Sequence, residues 1–202
     1  MLMLMLGIST SGKEPSVAIS RDDVRINFFK NTSRASYSET LMELIELAVN
    51  DAGIELSQLD TIAVDIGPGS FTGVRIGVCT ANAMASALEI PVIPICSLAT
   101  LLHIEDENGA VCAMIDCRNG NCYAALYVDG KEVVAPCAAV IDEFIKQLPE
   151  GARFVGDCMG NTDIPDAELV LKEAFKNGRP VKEAVPMYLR PSQAERKKSA
   201  KA

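Results

Sequence analysis

Residues 61–88 constrain the fold more than any other stretch. Thr61–Ile66 is a short, nearly continuous apolar run, Gly67-Pro-Gly69 is a turn signal, and Phe71–Leu88 is long enough for five helical turns. A buried strand, a tight turn and a long helix in that order commit the chain to an α/β architecture. Ser70 stands where it caps the helix, and free N–H groups at that end favour an anion. Arg75 is the only charge in the eighteen helical residues. Packing on a sheet needs an apolar stripe of only ~100°, so this helix has apolar surface to spare. Gly73, Gly77, Ala81 and Ala85 recur every fourth residue, a spacing that lets another backbone come close.

The helix expected over Ser36–Ala52 has the same excess. Seven of the nine residues Leu41–Val49 are apolar, and Leu41, Met42, Leu44, Ile45, Leu47 and Ala48 fill an arc of roughly 160° at helical spacing. Each helix taken alone fits burial under its own sheet and neighbours. Two such helices together point to a protein partner. The expected interface is Leu41, Leu44, Ile45, Ala48, Arg75, Val78, Ala81, Asn82 and Ala85.

The chain opens as a β-meander, with strands over Leu2–Ile8, Ser16–Ser20 and Arg25–Lys30 separated by polar turns. Another strand is expected at Pro91–Ile95, with Ser97 capping a short helix after it. Charge clusters around Glu105–Gly109, which places a lobe boundary there. Val111–Asp116 and Cys122–Val128 form a hairpin across Arg118-Asn-Gly-Asn121, a strong turn signal. A helix over Ile141–Gln147, a strand over Arg153–Gly156 and a helix over Ala167–Asn177 follow. The division is a first lobe over 1–105, a smaller second lobe over 106–190 and a basic, disordered tail over 191–202. The fold class is α/β, with mixed sheets flanked by helices.

Composition removes several functions. The sole histidine, His103, excludes a multi-His metal site, and it reads as a solvent-facing residue at a helix end. Nineteen Lys and Arg against 27 Asp and Glu give −8 and a pI near 4.8, a poor balance for binding RNA alone. The segment Arg190–Ala202 runs the other way, with five positive residues and one negative. The seven cysteines include no C-x-x-C pair and read as reduced thiols that fill apolar space. The opening Met-Leu repeat lacks a positive flank and reads as a strand rather than a signal peptide. No apolar run is long enough to span a membrane. A cytoplasmic protein is expected.

Gly7-Ile-Ser-Thr-Ser-Gly12-Lys13 fits half of a P-loop but fails on context. Glu14 replaces the magnesium-binding hydroxyl, and Pro15 and a strand follow where a helix is needed. The stretch reads as strand, turn, strand. Its small hydroxyls and the start of the long helix, Ser9, Thr10, Ser11, Gly69 and Ser70, are candidate phosphate-facing residues. Asp65 and Asp116 are acids at strand ends; each has the chemistry of a catalytic acid, but a solvated or hydrogen-bonded loop carboxylate is the favoured role.

Gly67-Pro-Gly-Ser-Phe-Thr-Gly-Val-Arg-Ile-Gly77, continued by an Ala-rich helix, resembles the signature of the TsaB (YeaZ-like) family. Leu4-Met-Leu-Gly-Ile-Ser-Thr-Ser11, Ser38-Glu39-Thr-Leu-Met42, Met114-Ile-Asp-Cys-Arg118 with Tyr123, and Pro186-Met-Tyr-Leu-Arg190 resemble its flanking motifs. The resemblance covers residues 3–128 best. It implies a two-lobed actin/Hsp70-like (ASKHA, RNase H-like) fold and a glycoprotease-like, peptidase M22 relationship. It also implies a non-catalytic role in tRNA threonylcarbamoyladenosine synthesis. The implied partners are a TsaD-like catalytic paralogue and a TsaE-like ATPase, with a homodimer when alone and tRNA met through the complex. The catalytic paralogue holds a metal through two histidines four apart. Here the corresponding Ala35-Ser-Tyr-Ser-Glu39 has none, so no metal and no catalytic residue are expected. Ser9 stands where related nucleotide-binding proteins carry an aspartate, which leaves at most weak ATP or ADP binding. The alternative function is an ASKHA-type ATPase or an M22-like metallopeptidase.

Overall fold

β1 (Leu4–Ser9), β2 (Ser16–Arg21) and β3 (Val24–Lys30) form the expected antiparallel meander. The computed structural model describes residues 3–31, 37–104 and 108–190. The segment 191–202 and the residues Ala35 and Ser36 therefore lie outside it, together with the expectation of a disordered tail. β4 (Thr61–Asp65) pairs parallel to β1, and β5 (Val92–Ile95) parallel to β4. The strand order is β3-β2-β1-β4-β5. Every residue of β4 and all but the first of β1 are buried, as continuous apolar runs require when both sheet faces are covered.

The described helices are α1 (Tyr37–Asp51), α2 (Phe71–Leu88), α3 (Ser97–Thr100), α4 (Ile141–Ile145) and α5 (Ala167–Asn177). α1 and α2 cover one face of the first sheet, over Leu6, Ile8, Val17, Ile19, Ile62 and Val64. α5 covers the other, setting Ala167, Val170, Leu171 and Ala174 on Met5, Ala18, Ala63 and Ile93. Gly7 makes this approach possible. A Cβ there would lie 2.7 Å from Leu171 Cγ and 2.8 Å from the Ala167 carbonyl oxygen.

A second sheet holds β6 (Ala110–Asp116), β7 (Asn121–Val128), β8 (Lys131–Val140) and β9 (Arg153–Val155), in the order β8-β7-β6-β9. Its hairpin turns through Arg118, Asn119 and Gly120, all in the left-handed region. The strand β8 is ten residues long and gave no clear sequence signal. It is an edge strand with Pro136 and two breaks in register against β7, so it lacks the alternation of a half-buried strand.

The lobe division needs correction. The second sheet does begin just past the expected boundary, but residues 106–190 are not one lobe. After β9 the chain returns to the first sheet as α5, and Val181 then bridges Val92. The physical reason is the apolar back face of the first sheet, which no earlier helix covers.

Candidate functional site

The end of β1, the turn after β4 and the start of α3 meet at Asp65, whose side chain is fully buried. Its Oδ1 accepts from the Gly67 N–H at 2.9 Å and the Ser97 hydroxyl at 2.5 Å. Its Oδ2 accepts from Ser9 at 3.0 Å and from Ser11. Burial pushes the Asp65 carboxyl above its ordinary value of 3.8, against these four hydrogen bonds. The acid therefore acts as a knot that ties three loops together. All its acceptor positions face protein donors, and none faces solvent.

The glycine-rich motif is the other half of this joint. A Cβ at Gly69 would lie 2.6 Å from the Ser11 carbonyl oxygen, and one at Gly73 or Gly77 would run into Thr10. The glycines of the small-residue stripe on α2 therefore face the chain's own β1–β2 turn, and Ala81 and Ala85 pack into the core. Thr10 Oγ1 donates to the Gly73 carbonyl at 2.7 Å, and the Ser70 N–H donates to the Ser11 carbonyl at 2.7 Å. Ser70 caps α2 as expected, accepting from the Gly73 N–H at 3.2 Å.

These bonds draw Ser9 and Thr10 away from any phosphate, while Ser11, Gly69 and Ser70 remain in the wall of the cleft between the sheets. Ser9, Thr10 and Ser11 are buried and their hydroxyls serve Asp65 and Gly73. Ser70 Oγ accepts from the helix at Gly73, and Gly69 is packed against Ser11. The P-loop stretch is strand, turn, strand, as its context required, and Lys13 lies exposed beyond the turn.

The interface assignment also needs correction. Leu41, Leu44, Ile45, Ala48, Val78, Ala81 and Ala85 are all buried in the core beneath α1 and α2. Their excess apolar arc is taken up by the sheet and by the packing of the two helices on each other. Asn82 clamps the C-terminal segment, donating to the Ala184 carbonyl and accepting from its N–H, both at 2.9 Å. Of the nine residues only Arg75 is exposed. The outward face of the same helices carries Met42, Leu47, Cys79, Ala83 and Ala87, with Ile76 and Met84 half-buried. Met42 and Leu47 are half exposed, at 50% and 52%. Sequence reasoning found the helices and mistook their inner side for the outer one.

Between the sheets lies a cleft of about 830 Å3, bounded by the α2 start, the β6–β7 hairpin and residues 187–190. Arg75 lies 4.1 Å above the Phe71 ring and donates through Nε to the Tyr188 hydroxyl at 2.8 Å. The Phe71 and Tyr188 rings stack with centroids 4.8 Å apart. Arg190 donates to Asn121 Oδ1 at 2.8 Å and to Cys117 Sγ at 3.0 Å. The segment 181–190 thus binds α2 through Asn82 and Arg75, β4 through the Met187 N–H to Ile66, and the second lobe through Arg190. Asp116 is exposed at the cleft and accepts from the Arg118 N–H at 2.8 Å.

His103 is elsewhere. It is largely buried on a 3-10 turn and paired with Glu173 of α5 at 2.8 Å, rather than facing solvent. Among the described residues no group of three or more His, Cys, Asp or Glu side chains is arranged to hold a metal, and no helix is long and apolar enough to cross a membrane. The cysteines are free; Cys112, Cys122 and Cys158 fill the second lobe's core. Burial raises each of these three thiols to about 12.

The family model for tRNA N6-adenosine threonylcarbamoyltransferase (TsaD) matches residues 30–161. The tRNA threonylcarbamoyladenosine biosynthesis protein TsaB of Bacillus subtilis is 29% identical, over 96% of this chain and 97% of the relative. Its Escherichia coli counterpart is 34% identical over 62% of this chain and 55% of the relative. The solved structure of YeaZ from Pseudomonas aeruginosa superposes with a TM-score of 0.72 at 26% identity, covering 93% of this chain and all of that one. The chain belongs to the TsaB (YeaZ-like) family. Its two mixed sheets, flanked by helices, make up the α/β architecture that it shares with YeaZ. The Gly67–Gly77 signature of the family is, in this member, the surface on which α2 meets the β1–β2 turn.

Proposed function

We propose that this chain is a non-catalytic subunit in tRNA threonylcarbamoyladenosine synthesis. In this reading it binds and activates a TsaD-like catalytic paralogue, which transfers a threonylcarbamoyl group to the adenosine beside the anticodon of tRNAs reading ANN codons. A TsaE-like ATPase joins that complex, the chain pairs with itself when alone, and the assembly works in the cytoplasm without a cofactor resident in this subunit. The observation that carries the non-catalytic reading is the closed circuit around Asp65. The acid and hydroxyls nearest the family signature are buried and bonded to one another, so they hold structure rather than meet a substrate. The outward face of α1 and α2, with Met42, Leu47, Cys79 and Ala83, supplies the docking surface.

Gel filtration of the chain mixed with a TsaD-like paralogue tests this directly. Co-elution is expected, and Ala83→Arg on the outer face should abolish it with the circular dichroism spectrum unchanged. Ala81→Arg, two positions away but buried, should instead unfold the protein. If both proteins elute unchanged on mixing, the proposal fails. Robust metal-dependent ATPase or peptidase turnover by the isolated chain would revive the enzymatic alternative.

A further inference from the structure

On the far side of the first sheet from α1 and α2, a second cavity of about 470 Å3 opens between the β2–β3 turn and α5. Ser20 lies against it. This residue pairs with Met5 of β1 and so shares its side of the sheet, the side that α5 covers. Ser20 is only 3% exposed. Among the described residues its hydroxyl has no hydrogen-bond partner, and it reaches the cavity instead. A buried hydroxyl left without a partner is costly, and the cavity is the space from which a partner can come. Leu171 and Phe175, one turn apart on α5, form an apolar wall beside it, and Phe175 is 49% exposed. Every basic side chain around the cavity is already engaged: Arg25 and Lys172 with Glu168, His103 with Glu173, and Lys176 as well. The carboxylates of the turn are not. Asp22 commits Oδ1 to the Met3 N–H at 2.9 Å and keeps Oδ2. Asp23 is exposed and has no partner among the described residues. The groups left open are therefore carboxylate oxygens and one hydroxyl, set beside an apolar wall.

We propose that this cavity binds a small organic amine, its ammonium held by Asp22, Asp23 and the Ser20 hydroxyl and its apolar body laid on Leu171 and Phe175. An ammonium group donates three hydrogen bonds and accepts none, which matches the oxygens left open. A bare metal ion would leave the apolar wall unused, and an anion would meet two carboxylates. The chain's net charge of −8 draws cations toward it. The cavity also falls within the ~300–1,000 Å3 usual for small-molecule sites. It lies across the sheet from the outer face of α1 and α2, so the inference goes beyond the proposed function and does not depend on it.

Calorimetric titration of the full chain with phenethylamine at neutral pH tests the proposal. Saturable binding is expected. The neutral counterpart 2-phenylethanol should bind about tenfold more weakly or worse, since hydrogen bonds to a charged group are the stronger ones. Ser20→Ala and Asp23→Asn should each weaken phenethylamine about two- to tenfold, the loss of one hydrogen bond. Neither change strands a partner inside the protein, and circular dichroism with thermal melting confirms that both variants fold. No saturation by about 10 mM amine, equal affinity for the alcohol, or unchanged affinity in either variant overturns the proposal. So does tighter binding of a lysine-rich peptide than of the free amine, which would reassign the cavity to a basic segment of another protein.

Discussion

Gly7→Ala tests the packing that joins the two ends of the sequence. The new Cβ would stand 2.7 Å from Leu171 Cγ and 2.8 Å from the Ala167 carbonyl oxygen, each about 0.6–0.7 Å inside ordinary contact. Leu171 has rotamers to yield with. Ala167 does not, because its carbonyl is backbone in the first turn of α5 and its N–H is held by Ser16 Oγ at 2.9 Å. The helix must therefore move. Overpacking of this kind costs about 1–3 kcal/mol, offset by about 0.5–1 kcal/mol from removing a glycine's freedom inside a strand. The midpoints leave a net loss of roughly 1.3 kcal/mol, which lowers the melting temperature by about 3–5 °C for a chain of this size. Urea titration followed by circular dichroism measures it. Leu171→Ala alone should cost about 2–5 kcal/mol by leaving a cavity. The double variant should be more stable than the sum of the two predicts by about 0.5–2 kcal/mol, since the new methyl enters space that Leu171 vacates. A Gly7→Ala protein as stable as the parent, or strict additivity in the double variant, would refute the close-approach argument.

Asp65→Ala should destabilise by several times about 1 kcal/mol, since it strands three buried hydroxyls and an N–H; Asp65→Asn, which keeps one carbonyl for Gly67, should be milder. The folded carboxyl is raised above 3.8, so the native state takes up the proton first, and acidification from neutrality toward 3.8 should widen the stability advantage of the parent over Asp65→Asn. Urea midpoints at two pH values check this, and a gap that narrows on acidification contradicts it. In thiol labelling, exposed Cys79 should react in the native state, while Cys112, Cys122 and Cys158 should label only in denaturant; native labelling of all seven would contradict the described core.

What the sequence made legible was local. Thr61–Asp65, the Ser70 cap and Phe71–Leu88 each carry their own signal, and each element is where that signal placed it. The inner and outer sides of α1 and α2 were not legible. An over-apolar helix looks the same whether its second contact is a neighbouring helix or another protein, and here a strand turn pressed into Gly69, Gly73 and Gly77 accounts for the small residues. The role of α5 was hidden by distance along the chain, since Gly7 gives no hint that Leu171 will lie against it. Asp65 was read as a solvated or hydrogen-bonded loop acid; its burial was not legible, because its serine partners sit more than thirty residues away in both directions. β8 was missed because an edge strand with a proline and shifted register has no period to detect.

The placement of α5 also bears on how the protein survives its own synthesis. β1 emerges first and β4 and β5 complete its sheet, yet Met5, Ala18, Ala63 and Ile93 stay uncovered until Ala167–Ala174 arrive. A nascent chain that already holds most of both sheets still shows an apolar face to every other chain around it. Its hazard on the ribosome is therefore clumping with its neighbours, and the arrival of Ala167–Asn177, far along the chain, is what ends it.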